Sequence, residues 1–400
     1  MSEYPPLPIL GDRRGQKSQR LQVLTLTPFY PSEGDDAGGC FIAEPISALE
    51  KIGIKNTVYA VQPFYRKKVT PGGSPVRAKW LRYFALPSDV GLPSAGAFLF
   101  ARIVARVREL KAQGKIDLIH AHAPLPCGHA AMLLSAELGL PFVVTVHGLD
   151  AFSTEQVKGK AGQWCRRISQ RVFHAAKRVI CISERVREQV LEGTGSRSKT
   201  SVVYNAVDSD LFAPASDSIS HQSILSVGNL IPIKGHATLL RAFAAISADF
   251  PQLRLRIIGS GPELASLKRM TVELNIADRV QFLGRRSRRQ VAGAMGECTV
   301  FALPSRYEGL GCVYLEAMSS GKPAIGCRGQ GIAEVIQQGS NGYLVGPDNE
   351  KELALVLKML VSDTGLQQRI SIAARDTILD RFTLAQQAQR LARIYRECAA

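Results

Sequence analysis

Residues 300–326 read VFALPSRYEGLGCVYLEAMSSGKPAIG. An apolar run at 300–303 stops at Pro304, a glycine-bearing loop carries Glu308, an apolar-rich helix follows, and Gly321 and Pro323 end it before a second apolar run at 324–326. Short continuous apolar runs joined through a helix are the pattern of parallel strands buried on both faces. The same alternation extends outward in both directions. Strands are predicted at 224–227, 253–258, 280–282 and 343–345 around this unit. On the N-terminal side they are predicted at 21–27, 56–61, 117–120, 142–146 and 179–182, with amphipathic stretches such as 97–111 between them. Residues 205–220, with Asp208, Asp210, Pro214 and several serines, interrupt the series and read as a linker. The fold class is therefore α/β, with two doubly wound domains facing a cleft. The expected division is a disordered basic tail at 1–20, a first domain at 21–205, a second at 206–380, and a last helix at 381–400 that crosses back onto the first.

Length and composition agree with that division. The chain has 400 residues, 46% of them hydrophobic, 21% charged and 7% aromatic, which excludes a disordered or fibrous protein and fits two cores. No apolar run approaches the roughly 18 residues of a spanning helix, and no secretory leader is evident at the N-terminus, so a cytoplasmic protein is expected. Eight scattered cysteines have no paired metal or redox spacing and read as reduced thiols. The net charge of +16 is uneven, with +12 in residues 1–200 and +4 in 201–400. Such an excess suits nucleic acid, an anionic membrane surface or phosphorylated substrates. Nucleic acid would rest on charge alone, because no zinc-finger, ribonucleoprotein or leucine-zipper pattern is present, and it is not expected as a partner.

Ligands of open α/β sheets collect beyond the carboxyl ends of strands, and four such loops carry chemistry. In the first, at 28–40, Gly38 and Gly39 open a helix, where a backbone can approach an anion closely; a plain turn is the alternative. In the second, VTVHGLD, His147 and Gly148 end a strand and Asp150 follows. A histidine there faces the cleft, where it can hydrogen-bond a sugar hydroxyl or polarise a carbonyl; a structural histidine is the plainer reading, and His120, His122 and His129 are weaker candidates. In the third, GNLIPIKGH, Asn229 follows the strand and Lys234 sits at a helix start to meet phosphate oxygens, with a spacing that does not match a Walker loop.

The fourth loop is the richest. Glu308 and Glu316 lie eight residues apart, roughly 12 Å along a helix axis and comparable with the span from sugar to ribose in a nucleotide sugar. Gly309 and Gly311 lie between them and expose amides suited to a diphosphate. Glu316 sits among Val313, Leu315, Ala317 and Met318, and a carboxylate in such surroundings needs a partner. Two other motifs are discounted. Gly259 and Gly261 lack the third glycine of a dinucleotide fingerprint, where Leu264 stands, so no nicotinamide or flavin is expected. Asp35 and Asp36 lie in a glycine-containing loop without a strand-end setting, and no metal is expected; Lys234 and helix dipoles would stabilise the leaving group instead.

These loops resemble those of the large retaining glycosyltransferase family 4, built on the glycosyltransferase-B fold of two Rossmann-like domains, and the resemblance covers nearly the whole chain after residue 20. It rests on EGLGCVYLE at 308–316 followed by EAM and GKP, YNAVD at 204–208, GNLIPIKG at 228–235 and FLG at 282–284. The resemblance implies that Glu308 contacts the donor sugar, Glu316 the ribose and Lys234 the diphosphate. Gly38 and Gly39 would lie near donor phosphate or acceptor, and His147 beside the transferred sugar. Catalysis would fall to His147, Glu308 and Lys234, with Asn229, Gly309, Leu310, Gly311 and Cys312 completing the donor site and Gly39, His147 and Asp150 the acceptor side.

The implied activity is metal-independent, retaining transfer of a hexosyl unit from a UDP- or GDP-linked sugar, without a further cofactor, to a hydroxyl of a glycan or lipid-linked acceptor in surface polysaccharide or glycolipid assembly. Two departures stand out. Asn229 replaces the family's usual arginine, with Arg306 expected to compensate, and Leu310 stands where phenylalanine is common. Lys158, Lys160, Arg166, Arg167, Arg171, Lys177 and Arg178 gather in or near one helix, and the resemblance suggests peripheral docking on the inner face of a membrane. The other readings are a nucleotide-sugar 2-epimerase of the same fold and a non-enzymatic binder of anionic lipid or RNA.

Overall fold

The computed structural model describes residues 20–400 except 71, 73–75, 88–90, 154–156, 195 and 216–221. The proposed tail therefore lies outside the described residues apart from Arg20. The first sheet consists of β1 (Gln22–Thr27), β2 (Lys55–Pro63), β3 (Ala78–Tyr83), β4 (Leu118–His122), β5 (Phe142–Val146), β6 (Arg178–Cys181) and β7 (Thr200–Val202) in the spatial order β3-β2-β1-β4-β5-β6-β7. The second consists of β8 (Ser223–Val227), β9 (Arg254–Ile258), β10 (Val280–Gly284), β11 (Val300–Ala302), β12 (Ala324–Cys327) and β13 (Tyr343–Val345) in the order β10-β9-β8-β11-β12-β13. All recorded strand pairings within the sheets are parallel.

Every predicted strand is present, with ends that agree within two residues. Two further strands carry too little pattern to be read. β3 is a half-exposed edge strand interrupted by Lys79 and Arg82, and β7 has three residues, TSV. Strand order reverses between β1 and β4 in one sheet and between β8 and β11 in the other, and these switch points are where loops separate and leave a crevice.

Three helices begin at the cleft with a left-handed glycine and no capping side chain. These are α1 (Cys40–Lys51) after Gly39, with φ 79°; α6 (His236–Ser247) after Gly235, with φ 71°; and α9 (Cys312–Ser319) after Gly311, with φ 82°. At Gly39 the requirement is also steric, since a Cβ would fall 2.5 Å from the Tyr30 nitrogen. Of the other helices that position the site, α5 spans Glu184–Thr194, α8 Arg288–Glu297, α11 Thr364–Arg381 and α12 Leu384–Ala399.

The last helix crosses to the first domain. Thr383 and Gln386 form a reciprocal capping box that starts α12, and its Leu391, Ala392 and Tyr395 pack with Val23, Leu118, Val143 and Ile180 of the first sheet. Its apolar face is thus buried on the opposite domain, which ties the two domains together.

Candidate functional site

A cleft of about 1330 Å³ separates the two sheets, and the loops after β1, β5, β8, β10 and β11 line it. It brings together Gly38, Gly39, His147, Asn229, Lys234, Glu308, Gly309, Leu310, Gly311, Cys312 and Glu316. Leu310 borders it with its side chain fully buried. Asp150 is not among the lining residues. Its Oδ1 accepts the His147 backbone N–H at 2.9 Å, so it ties the turn after β5 rather than facing the cleft. Burial raises its carboxyl to about 7.

The Lys234 Nζ lies 2.5 Å from Glu308 Oε1, and the same oxygen accepts the Ser305 hydroxyl at 3.1 Å. The Glu308 backbone N–H donates to Gln330 Oε1 at 3.1 Å, which fixes the loop. The pair comes from strand-end loops 74 residues apart, β8 to α6 and β11 to α9. α9 begins only at Cys312, so the stretch before it is loop, and one helical run does not set the Glu308–Glu316 spacing.

Glu316 is buried and has the partner its apolar surroundings call for, but that partner was not foreseen. The Arg288 guanidinium bonds Glu316 on its own domain and Glu44 of α1 at 2.7 and 3.1 Å, and lies over the Phe212 ring at 4.7 Å. Burial raises the Glu44 carboxyl, and Arg288 opposes that shift. Arg288 belongs to the run RRSRRQ at 285–290, immediately after the FLG strand end, and Arg285 and Arg286 also line the cleft. A basic cluster following a strand was the available signal. The expected compensation by Arg306 is not supported by its position: it is half exposed, outside the cleft lining, and bonds the Pro232 carbonyl at 3.0 Å. Asp35 and Asp36, weighed as a metal pair, are engaged otherwise. Asp35 accepts the Gly38 N–H at 3.0 Å and lies 3.3 Å from Arg285, while Asp36 accepts the Arg288 N–H.

His147 is wedged edge-on against Phe29 and Phe41, with centroids at 6.0 and 5.1 Å, and its Nε2 lies 3.2 Å from His122 Nδ1. His120 lies behind His122, with ring centroids 4.2 Å apart and the planes tilted by 36°, and is held by the Tyr395 hydroxyl of α12 and by Thr145, each at 2.7 Å. Burial lowers His147 to about 4 and His120 to about 3, with His122 also well below the ordinary imidazole value. All three are neutral at pH 7. A neutral His147 can donate or accept one hydrogen bond in the cleft but brings no positive charge to it.

Residues 220–377 match the family model described as glycosyl transferases group 1, and residues 42–211 that of glycosyltransferase family 4. An uncharacterized glycosyltransferase of Methanocaldococcus jannaschii is 30% identical over 64% of this chain and 68% of its own. The D-inositol 3-phosphate glycosyltransferase of Streptomyces avermitilis is 28% identical over 90% of this chain and 83% of its own. Among solved structures, the fold is similar to sucrose-phosphate synthase from Thermosynechococcus elongatus, with a TM-score of 0.75 and 21% identity over 94% of this chain and 98% of that one. It is also similar to the Anabaena protein HepE in complex with UDP-glucose, with a TM-score of 0.74 and 22% identity over 94% of this chain and 100% of that one.

Proposed function

The chain belongs to the family 4, group 1 glycosyltransferases, and on that premise we propose that it moves a hexosyl unit from a UDP- or GDP-linked sugar to an acceptor hydroxyl with retention of configuration. The carrying observation is the convergence of Lys234, Glu308, the uncapped start of α9 and Glu316 in one interdomain cleft. One cation, one anion-binding helix end and two carboxylates are what the diphosphate, the sugar and the ribose of such a donor require. The UDP-glucose in the Anabaena neighbour supports a donor of this class.

In the proposed reaction the bond from the sugar C1 to the phosphate oxygen breaks, and the nucleoside diphosphate leaves with the electron pair. The acceptor oxygen attacks from the same face, and its proton passes to the departing phosphate oxygen. Lys234 and the α9 amides offset the charge that develops on the leaving group, so that no metal is needed. Glu308 orients the sugar, Glu316 holds the ribose hydroxyls, and neutral His147 hydrogen-bonds the sugar being transferred. Asn229 provides an amide donor in place of a charge, and the cleft cations Arg285 and Arg286 stand in for the missing arginine.

The acceptor proposed is lipid-linked, at the inner face of a membrane and within surface glycan assembly. Exposed Phe64, Tyr65, Phe84, Leu86 and Phe98 gather at the ends of β2 and β3 and on the following helix, with Phe64 stacked on Phe84 at 5.4 Å and Phe84 edge-on to Phe98 at 4.9 Å. Residues 51–108 contain 11 Lys and Arg against one acid, Asp89. An exposed apolar cluster with a basic surround suits an anionic bilayer. No helix of the described residues is long and apolar enough to cross one.

The test is transfer in EDTA from UDP- and GDP-sugars to a short-chain lipid-linked glycan, with the anomer of the first-formed product read by NMR. An axial donor giving an axial product is expected. An inverted product would overturn the retaining mechanism, and conversion of the donor sugar at C2 without an acceptor would point to the epimerase instead.

A further inference from the structure

Two helix starts on opposite sides of the cleft, capped locally by Ser287 at α8 and Ser183 at α5, also receive carboxylates from the opposite domain on their first N–H groups. At α8, in the second domain, both oxygens of Asp36 from the first domain lie 3.1 Å from the Arg288 backbone nitrogen. At α5, in the first domain, the two oxygens of Glu334 from the second domain accept the Glu184 and Arg185 N–H groups, each at 2.8 Å. Carboxylates are favoured there twice over, because helix-start N–H groups lack intrahelical partners and carry the positive end of the helix dipole.

Side chains reinforce both junctions. The Arg288 guanidinium bridges Glu316 and Glu44. Arg185 lies over the Tyr307 ring at 5.2 Å and bonds the Gly329 carbonyl, while the Ser183 hydroxyl donates to the Gly309 carbonyl at 2.5 Å. The two junctions attach to the loops that carry the site, since Gly309 is adjacent to Glu308 and Arg288 is bonded to Glu316.

We propose that Asp36 and Glu334 are positioning residues that form a crossed pair of interdomain helix caps, and that together they hold the cleft at the width where Glu308 and Glu316 act on one donor. Opening the cleft would free the N–H groups of residues 288, 184 and 185 and leave Arg288 without Glu44, while the serine caps stayed in place. Closure is thus an electrostatic equilibrium set by groups that need not touch the donor. The link to donor binding rests on the proposed function; the caps themselves do not.

The experiment measures amide hydrogen exchange and small-angle scattering on the donor-free protein, for wild type, Asp36→Ala, Glu334→Gln and the double variant, followed by donor titration and steady-state kinetics. Expected results are at least tenfold faster exchange at residue 288 in Asp36→Ala and at residues 184 and 185 in Glu334→Gln. The double variant should have a larger radius of gyration, and its donor KM should rise about tenfold with a smaller change in kcat. Unchanged exchange at those amides and an unchanged radius in the folded double variant would overturn the proposal. If Asp36→Ala fails to fold, Asp36→Asn keeps an acceptor without the charge, and an intermediate exchange rate at residue 288 is then expected; a wild-type rate would overturn the proposal. If wild type bound no nucleotide sugar, the donor reading would fail while the exchange and scattering results still decided the caps.

Discussion

Glu316 owes its setting to Arg288, which precedes it by 28 residues, and a carboxylate with apolar neighbours in sequence already implied some such counter-ion. The histidines are the reverse case. His147 was legible as a cleft residue from its place at a strand end, but its neutrality was not, because that depends on burial against Phe29, Phe41 and His122, which come from three other segments. This setting has a consequence for stability. Burial holds folded His120, His147 and His236 at about 3, 4 and 4 respectively, and His122 well below the ordinary imidazole value. Between pH 4 and 6.5 the unfolded chain therefore binds more protons at these sites, and stability rises with pH. Asp150, raised from 3.8 to about 7, works the other way, because there the folded state holds the extra proton and stability falls with rising pH across that window. Burial also raises Glu44, which adds to Asp150, and lowers His129, which adds to the imidazoles, so that five histidines outweigh two carboxyls. The urea midpoint should fall as pH drops from 6.5 to 4, and fall more steeply in Asp150→Asn. A midpoint that stays level or rises on acidification would contradict the burial assigned to the imidazole column.

Among the elements, strands buried on both faces were legible because their sequences are almost purely apolar, whereas β3 was not, since an edge strand keeps polar residues on its open side. The glycine-led starts of α1, α6 and α9 were readable as ligand-facing ends from Gly39, Gly235 and Gly311. The carboxylates on the first N–H groups of α5 and α8 were not, because Glu334 and Asp36 come from the other domain, whereas the local caps of the same helices, Ser183 and Ser287, lie in the adjoining sequence. The basic face was read on the helix Gly159–Ala175, where Lys160, Arg167 and Arg171 are indeed exposed. The ends of β2 and β3 add what that helix has only in Trp164, a cluster of exposed apolar side chains. Binding to vesicles of anionic phospholipid should fall several-fold as salt rises from 50 to roughly 300 mM, and a Phe64→Ser/Phe84→Ser double variant should bind less at every salt concentration. Binding only to neutral vesicles, or none, would remove the membrane from the account.

For the molecule as a whole, alternation of strand and helix was enough to give two doubly wound sheets and to put the active loops at their carboxyl ends, and the last helix crosses to the first domain as read. The sequence left out how closely the halves meet. That depends on Arg288, Glu44, Asp36 and Glu334, whose partners lie 28 to 252 residues away. The central claim is that this meeting creates a nucleotide-sugar site anchored at Glu316. Calorimetric titration in EDTA of wild type and Glu316→Ala with UDP, GDP, ADP and their common sugar conjugates tests it most directly. One nucleotide series should bind wild type, with affinity reduced at least 100-fold in Glu316→Ala while the fold is retained. Equal binding by the two proteins, or none by wild type, would contradict it.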